Sequence, residues 1–262
     1  MYKVFTNLWS HRSLFFSSVA MDIRSMYAGT IFGIAWVVLG PILLLTLYSV
    51  IYAVIFKVRV PDFTAAEYIL NLFSGLVPFL AFAQSLSASS SVLKKEKKLL
   101  FIANYPAEFV PTKAVFVAYS MLVVGVIMTF IGDAIWSTVT WTWLLVPVVV
   151  FFQVLFSIGV GFFLSLLSIV IKDIQVMIQY IVIALLVVTP IAYTPDMIPE
   201  KLLSLLYVNP LFYFVYSYQN LILLNELPPT SVVVIGVSIS VITFILGLWF
   251  FSRARQALSD LL

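Results

Sequence analysis

The chain has 262 residues, of which 63% are hydrophobic and only 10% are charged, and its formal net charge is +3 at pH 7. Because a soluble domain needs far more polar residues to cover its core, this composition, with a mean hydropathy of +1.14, indicates an integral membrane protein. The absence of cysteine and the single histidine, His11, exclude a disulfide framework, a thiol nucleophile and a metal site rich in cysteine or histidine.

The first predicted element, residues 1–30, is an amphipathic helix that lies along the cytoplasmic face of the membrane. Apolar residues recur there at helical spacing: Leu8, Phe15, Val19, Ile23 and Met26. Arg12 and Arg24 are available to the lipid headgroups. The alternative is a poorly ordered tail. Charged residues interrupt the segment before a full-length apolar run begins, so it does not match a cleavable signal peptide.

Six apolar runs then reach the length of about 20 residues that a helix needs to cross the hydrocarbon. They are residues 31–56, 69–92, 114–136, 144–171, 174–195 and 230–251. A further apolar stretch, 198–226, is broken by Pro199, Glu200, Lys201, Asn209 and Pro210. We expect it to form two short re-entrant half-helices on the outer side, between the fifth and sixth spans. The predicted fold is an all-α membrane domain covering 1–262.

The distribution of lysine and arginine predicts the orientation of the chain. With a cytoplasmic N-terminus, the inner side carries eleven basic residues: Lys3, Arg12, Arg24, Lys94, Lys95, Lys97, Lys98, Lys113, Lys172, Arg253 and Arg255. The outer side carries only Lys57, Arg59 and Lys201. Both termini are therefore expected in the cytoplasm. Since these charges lie in short clusters between apolar runs, they also argue against a nucleic-acid partner.

The cytoplasmic loop 93–113 has an unusual concentration of charge. The stretch VLKKEKKLLFIANYP, residues 92–106, contains four lysines and a glutamate. One interpretation is that the lysines anchor the loop to anionic lipid. The other is that Leu93–Ile102, which lacks glycine and proline, forms a short helix that receives force from a soluble partner.

Two groups of side chains are candidates for lining a hydrophilic path. In the second span, Gln84, Ser87 and Ser91 fall on one helical face, although small polar residues also serve helix packing. The aromatic candidates are Tyr48, Tyr52 and Phe56 in the first span, and Phe212, Tyr213 and Tyr216 in the second half-helix. These rings either offer flat faces to sugars or belong to the aromatic belt of a membrane protein.

Ionisable residues are nearly absent from the predicted spans. Asp133 lies at an outer helix end, and Lys172 and Asp173 lie in an inner turn. An ion-driven transporter normally needs a carboxylate within a span, and an enzyme of the glycosidase type needs a pair of acids. None of the ten glycines is followed by lysine, so a Gly-Lys-Ser/Thr phosphate loop is also excluded. The pattern indicates transport with energy supplied from elsewhere.

Six motifs follow one another along the chain. The first is DIRSMYAGTIFGIAWVVLGPIL (22–43), with Arg24, Tyr27, Gly33, Trp36 and Pro41. The others are SGLVPFLAFAQSLSASSSVL (74–93), NYPAEFVP (104–111), LSIVIKDIQVMIQ (167–179), TPIAYTPDMIP (189–199) and YVNPL (207–211). With these motifs in this order, the chain resembles, over nearly its whole length, the membrane subunits of ABC-2 type transporters that export polysaccharides. At Lys172 relatives carry arginine, so the bidentate geometry of that side chain is lost here.

The resemblance implies a homodimer with two separate ATP-binding subunits, which would bind ATP and magnesium, while this chain would hold neither cofactor nor metal and would not be an enzyme. It implies ATPase coupling through Leu93, Lys94, Lys95, Lys97, Lys98, Leu99, Leu100 and Phe101. Arg12, Arg24 and Tyr27 would meet the lipid-diphosphate end of the substrate near the cytoplasmic interface. Structural motif residues would be Gly33, Trp36, Pro41, Lys172, Asp173, Pro190, Asn209 and Pro210.

The implied function is export of a lipid-linked polysaccharide, of O-antigen or capsule type, across the bacterial inner membrane through a channel between two copies. One alternative is an ABC-2 permease for a small lipid or drug. A second, from another class, is an ion-coupled secondary transporter, and a third is a membrane-embedded enzyme.

Overall fold

A computed structural model describes residues 11–55, 63–96, 106–136, 139–194, 197–199, 201 and 203–261 of the chain. Within these ranges the secondary structure is helical, with no strand. The prediction of an all-α protein is confirmed for this part of the chain. Residues 1–10 of the predicted interface helix, and Phe56 at the end of the first predicted span, lie outside the described residues.

Helix α1, Arg12–Met26, is joined to α2, Trp36–Ser49, by a connection that contains two glycines of positive φ. Gly29 and Gly33 have φ of +82° and +52°, a region that favours glycine because it has no Cβ. A 3₁₀ turn, Gly33–Ala35, leads into α2, and π-helical turns continue it over Val50–Ile55. The two glycines thus allow a backbone turn between α1 and α2 that a residue with a side chain would adopt only with strain.

In the part of the chain that the structure describes, four helices are long and apolar enough to cross a membrane. They are α3 (Ala65–Ser89), α5 (Phe109–Trp136), α6 (Val146–Val170, with a preceding 3₁₀ turn at Trp141–Leu145) and α10 (Thr230–Leu261). Helix α3 is the central one, because 78% of its apolar window is buried, against 28% for α10. A short helix α4, Val92–Lys95, follows α3. Helix α3 packs mainly on α5, and α6 packs mainly on α10.

Two further apolar helices are shorter than a full crossing: Gly33–Ser49, which contains α2, and α7, Ile174–Val188. Helix α7 ends earlier than the predicted span 174–195 because Thr189 precedes Pro190, and a residue before proline avoids the α conformation. Thr189 accordingly has an extended backbone, with ψ of 131°. The count of six spans stays a prediction.

The stretch predicted as half-helices contains two short helices, α8 (Leu203–Val208) and α9 (Pro210–Gln219), and α9 continues as π-helical turns over Asn220–Leu224. Asn209 separates them and caps α9, since its side-chain oxygen accepts from the Leu211 N–H at 3.0 Å. Helix α9 is buried along most of its length and packs on α3 and α10. The re-entrant path itself stays a prediction.

Candidate functional site

Lys113, in the first turns of α5, lies at the centre of a charged junction. Its side chain is 2% exposed, and its Nζ lies 2.7 Å from Asp22 Oδ2 on α1 and 3.8 Å from Glu96 Oε2, just after α4. A buried cation without an acidic partner would be strongly destabilising. We call Lys113, Asp22 and Glu96 the Lys113 junction; it connects three separate segments of the chain.

Aromatic packing brings α1 to this junction. The ring of Phe15 meets those of Phe109 and Phe116 edge to face, with centroids 5.2 and 5.3 Å apart, and Val19 completes the buried cluster. Asp22 lies three residues beyond Val19 on the same helical face, and Lys113 lies one turn beyond Phe109, so their side chains meet. The apolar face predicted to lie on the membrane therefore packs largely on α5, because Phe109 and Phe116 offer it aromatic partners.

A cavity of about 140 Å³ opens beside the junction. All three charged residues line it, and so do Lys95 and the polar side chains of Gln84 and Ser91. Gln84 and Ser91 were predicted to share a helical face that lines a hydrophilic path. Both reach this cavity, which is polar on the side of the charges and apolar along α5.

The residues expected to couple to an ATPase are only partly described. Leu93 is fully buried in the main hydrophobic core, whereas Lys94 and Lys95 are exposed. The other five, Lys97, Lys98, Leu99, Leu100 and Phe101, lie outside the described residues. The described part of the loop is thus anchored by Leu93 and displays two lysines, and the coupling role stays a prediction.

The residues expected to meet a lipid diphosphate lie on and just after α1. Arg12 and Arg24 are exposed, and Tyr27 is half-buried at the C-terminal end of the helix. Arg24 is two residues from Asp22, so the exposed guanidinium and the junction share one end of α1. Their role toward a phosphate stays a prediction.

The remaining path-lining candidates do not share one surface of the chain. Ser87 is exposed and donates to its own helix at the Ala83 carbonyl, 3.1 Å away. Tyr48 packs half-buried against the main core, while the side chain of Tyr52 and all of Phe56 lie outside the description. Phe212 and Tyr213 are buried with Leu206 and Val232, and the half-buried Tyr216 stacks on Phe212 at 5.3 Å.

Two of the motif segments are joined directly. Asn209 Nδ2 donates to Thr189 Oγ1 at 2.8 Å, and Gln219 Nε2 donates to the Pro190 carbonyl at 3.0 Å. The TPIAYTPDMIP and YVNPL motifs are therefore hydrogen-bonded to each other through α9. Other motif residues hold local structure: Gly33 has positive φ, Trp36 meets Phe32 edge to face, and Pro41 is buried in α2. Lys172 and Asp173 form an exposed turn between α6 and α7.

Sequence reasoning missed a buried polar residue that connects several of the described helices. Gln153 on α6 is fully buried, donates from Nε2 to the Pro78 carbonyl of α3 at 2.9 Å and accepts from the Tyr218 hydroxyl of α9 at 2.9 Å. Tyr119 of α5 joins the network at Ser157 Oγ, 2.6 Å away. The sequence does contain one signal for it, since Gln153 is a single amide within the long apolar run 144–171. It also missed the pairing of Asp22 and Glu96 with Lys113, because no sequence spacing relates them.

Across the described ranges, no group of three or more histidine, cysteine or acidic residues is placed to hold a metal ion. The site therefore offers charge pairing and a polar cavity at the junction, and buried hydrogen bonds between helices in the core. These arrangements suit the transmission of movement between segments.

Comparison with known proteins agrees with this architecture. The family described as ABC-2 type transporter matches residues 13–223. The chain is 24% identical to an O-antigen export system permease protein RfbA of Myxococcus xanthus, over 99% of each chain. It is also 24% identical to proteins of the same name from Klebsiella pneumoniae, over 92% of each chain. With its apolar helices and a family match over most of its length, this multi-pass membrane protein belongs to the ABC-2 type transporter family.

Proposed function

We propose that the chain is the membrane-spanning subunit of an ATP-driven exporter that moves a lipid-linked polysaccharide of the O-antigen type across the bacterial inner membrane. The observation that carries this proposal is the similarity, over 92–99% of both chains, to proteins named O-antigen export system permeases. Because each alignment covers most of both chains, the similarity extends over the membrane domain as a whole and is not confined to one segment.

In this proposal two copies of the chain form a channel and bind two ATP-binding subunits, which hold ATP and magnesium. The chain itself hydrolyses nothing. The exposed Lys94 and Lys95, held in place by the buried Leu93, fit a loop that is fixed to the membrane domain and presents charge to a partner. Residues 93–113 then form the coupling segment, whose last residues, from Phe109 onward, are the buried first turns of α5, and both chain termini lie on the same cytoplasmic side.

The substrate would enter where its diphosphate meets basic side chains. Arg24 is exposed at the end of α1 beside Tyr27, a position that suits contact with an anionic group at the membrane surface. Two shorter apolar helices would complete six spans, and α8 and α9 would form the re-entrant pair at the outer mouth. Aromatic rings such as Tyr216 would offer weak, repeated contacts to sugars.

A clean deletion in the native host, followed by immunoblotting of surface and cytoplasmic polysaccharide, tests the proposal. We expect the polysaccharide to disappear from the surface while lipid-linked chains accumulate inside, and a plasmid copy of the gene to restore export. Inactivating the paired ATPase should give the same phenotype. Normal surface polysaccharide in a strain without a second copy of the gene would contradict the proposal and favour a permease for a small lipid or drug.

A further inference from the structure

The two acids of the Lys113 junction are held unequally. At 2.7 Å, the contact between Lys113 Nζ and Asp22 is a charge-assisted hydrogen bond. At 3.8 Å, Glu96 lies beyond hydrogen-bonding distance and interacts with the ammonium only through charge. An ammonium has three N–H donors, so its chemistry allows Glu96 to form the closer contact instead. In the present arrangement, Asp22 makes the closer contact with Lys113.

The surroundings fix the lysine and leave space for the acids. The Lys113 side chain is 2% exposed, whereas those of Asp22 and Glu96 are 27% and 31% exposed. The neighbouring cavity of about 140 Å³ is lined by all three residues, and it exceeds the roughly 30 Å³ that a water molecule occupies in the liquid. Either carboxylate can therefore move relative to Lys113 without repacking the core.

Helix α1 contacts α5 through apolar and charged groups. Phe15 and Val19 form a buried cluster with Phe109, and the partly buried Ile23 packs against it, while Asp22 pairs with Lys113. Beyond the helix, Gly29 and Gly33 occupy positive φ. With the Asp22 contact broken, the C-terminal end of α1 keeps the apolar contact of Ile23 but loses the charged one, so we expect the turn that follows Ile23 to become more mobile.

We propose that Lys113 is a positioning residue that passes movement of the Glu96 turn to α1 by exchange of its acidic partner. When the loop that follows Glu96 is pushed, Glu96 approaches Lys113, Asp22 loses its closest contact and the C-terminal end of α1 becomes more mobile. This inference rests on the proposed function, because an ATP-binding partner has to supply the push. In this inference, Asp22, Glu96 and Lys113 transmit movement between segments, in addition to any contribution to helix packing or lipid anchoring.

Spin labels test the exchange directly, since the chain has no native cysteine. A label at Ser25→Cys reports on the C-terminal end of α1, and a label at Ser17→Cys, near the aromatic contact, is the matched control; both serines are exposed. Each is measured in the assembled complex in lipid, with and without ATP, in the wild-type background and in Asp22→Asn, Glu96→Gln and Lys113→Met.

We expect Asp22→Asn and Lys113→Met to raise label mobility at position 25 without ATP, and to leave position 17 unchanged. Glu96→Gln should leave the resting mobility at position 25 as in wild type. ATP should raise mobility at position 25 in wild type but not in Glu96→Gln. Lys113→Arg, which keeps the charge, should retain the response to ATP.

Three results would overturn the inference: no effect of Asp22→Asn at position 25, a normal ATP response in Glu96→Gln, or no ATP response in wild type. If Lys113→Met does not assemble, Asp22→Asn and Glu96→Gln decide the matter, because each changes one partly exposed acid to its amide. The label experiment uses no polysaccharide. A mobility response in a protein whose deletion leaves surface polysaccharide normal would therefore support the exchange while rejecting the proposed substrate.

Discussion

The hydroxyl of Tyr218 donates to Gln153 Oε1 over 2.9 Å, while the amide nitrogen of Gln153 donates to the carbonyl of Pro78. One side chain of α6 thus ties α9 to α3, and all three groups are buried. Within a membrane domain, such a contact fixes the relative position of helices whose surfaces are otherwise apolar.

Replacing Gln153 with leucine should lower the stability of the folded protein by about 1–3 kcal/mol, because the Pro78 carbonyl and the Tyr218 hydroxyl lose their buried partner. Tyr218→Phe should lower the stability by a smaller amount, since it leaves only Gln153 Oε1 without its donor. Thermal unfolding in detergent, followed by size exclusion, measures the effect. Ser168→Ala is the control, because that hydroxyl bonds only to a carbonyl of its own helix. Equal melting of Gln153→Leu and the control would contradict the prediction.

The crossing of α6 and α10 should not tolerate side chains at its two glycines. A Cβ on Gly159 would lie 2.5 Å from the Thr243 carbonyl oxygen, and one on Gly247 would collide with the Gly159 backbone. We expect Gly159→Val or Gly247→Val to cost about 1–3 kcal/mol or more through overpacking. The yield of monodisperse protein after size exclusion measures this loss of stability. Gly40→Ala, whose Cβ would meet nothing within 4 Å, is the control; normal yield of both valine variants would contradict the prediction.

Asn209 should matter for two separable reasons. Asn209→Asp keeps the oxygen that caps α9 but loses the donor to Thr189, whereas Asn209→Ala loses both. Loss of the cap should cost about 0.5–2 kcal/mol, so the alanine variant should melt at the lower temperature. Thr189→Val tests the other partner of the same bond. Because Asn209 is 4% exposed, the carboxylate of the aspartate variant also carries a desolvation cost. Asn209→Ser keeps a neutral capping oxygen without that cost, and equal melting of the serine and alanine variants would contradict a role for the cap.

Reversing the charge of the exposed lysines near α4 should weaken binding of the ATPase subunit. We expect the double variant Lys94→Glu, Lys95→Glu to bind the partner less tightly, with the difference shrinking at high salt because exposed charges are screened within about 8–10 Å. Co-purification over a salt series measures this. Lys201→Glu, the reversal of a single exposed lysine on the predicted outer side, should bind normally. Equal binding by all three proteins would remove the proposed coupling surface.

Arg24→Ala should impair export while leaving assembly intact, since the side chain is exposed on α1. Arg24→Lys keeps the charge and should retain more activity, although it loses the planar fork that matches a phosphate. Surface polysaccharide and the elution volume of the purified complex are the two measurements. Unchanged export in the alanine variant would remove the proposed contact with the lipid diphosphate.

The sequence predicted the helices well where one apolar run forms one helix, as in α6. Helix ends depend on groups outside the run. Helix α3 begins at Ala65, earlier than expected, because Thr64 and Glu67 form a capping box. Helix α5 begins at Phe109, ahead of the predicted 114, and includes Lys113, whose charge is compensated by Asp22.

The candidate site was less accessible to sequence reasoning. The lysines at 94–98 form a cluster that is visible in the sequence. Lys113 is isolated in the sequence, which therefore indicates only the side of the membrane on which it lies. Its importance comes from burial and from an acid on a distant helix, and neither leaves a pattern along the chain. Gln153 is similar, because its three partners lie on three other segments.

The contact between Gly159 and Gly247 also constrains how the domain moves. Two helices that touch backbone to backbone can rotate about the point of contact, but they cannot slide along each other without forcing side chains into that gap. We therefore expect relative movement of α6 and α10 to take the form of rotation about this contact. A sideways displacement of the α10 end that carries Trp249 and Arg253 would then move its opposite end in the other direction.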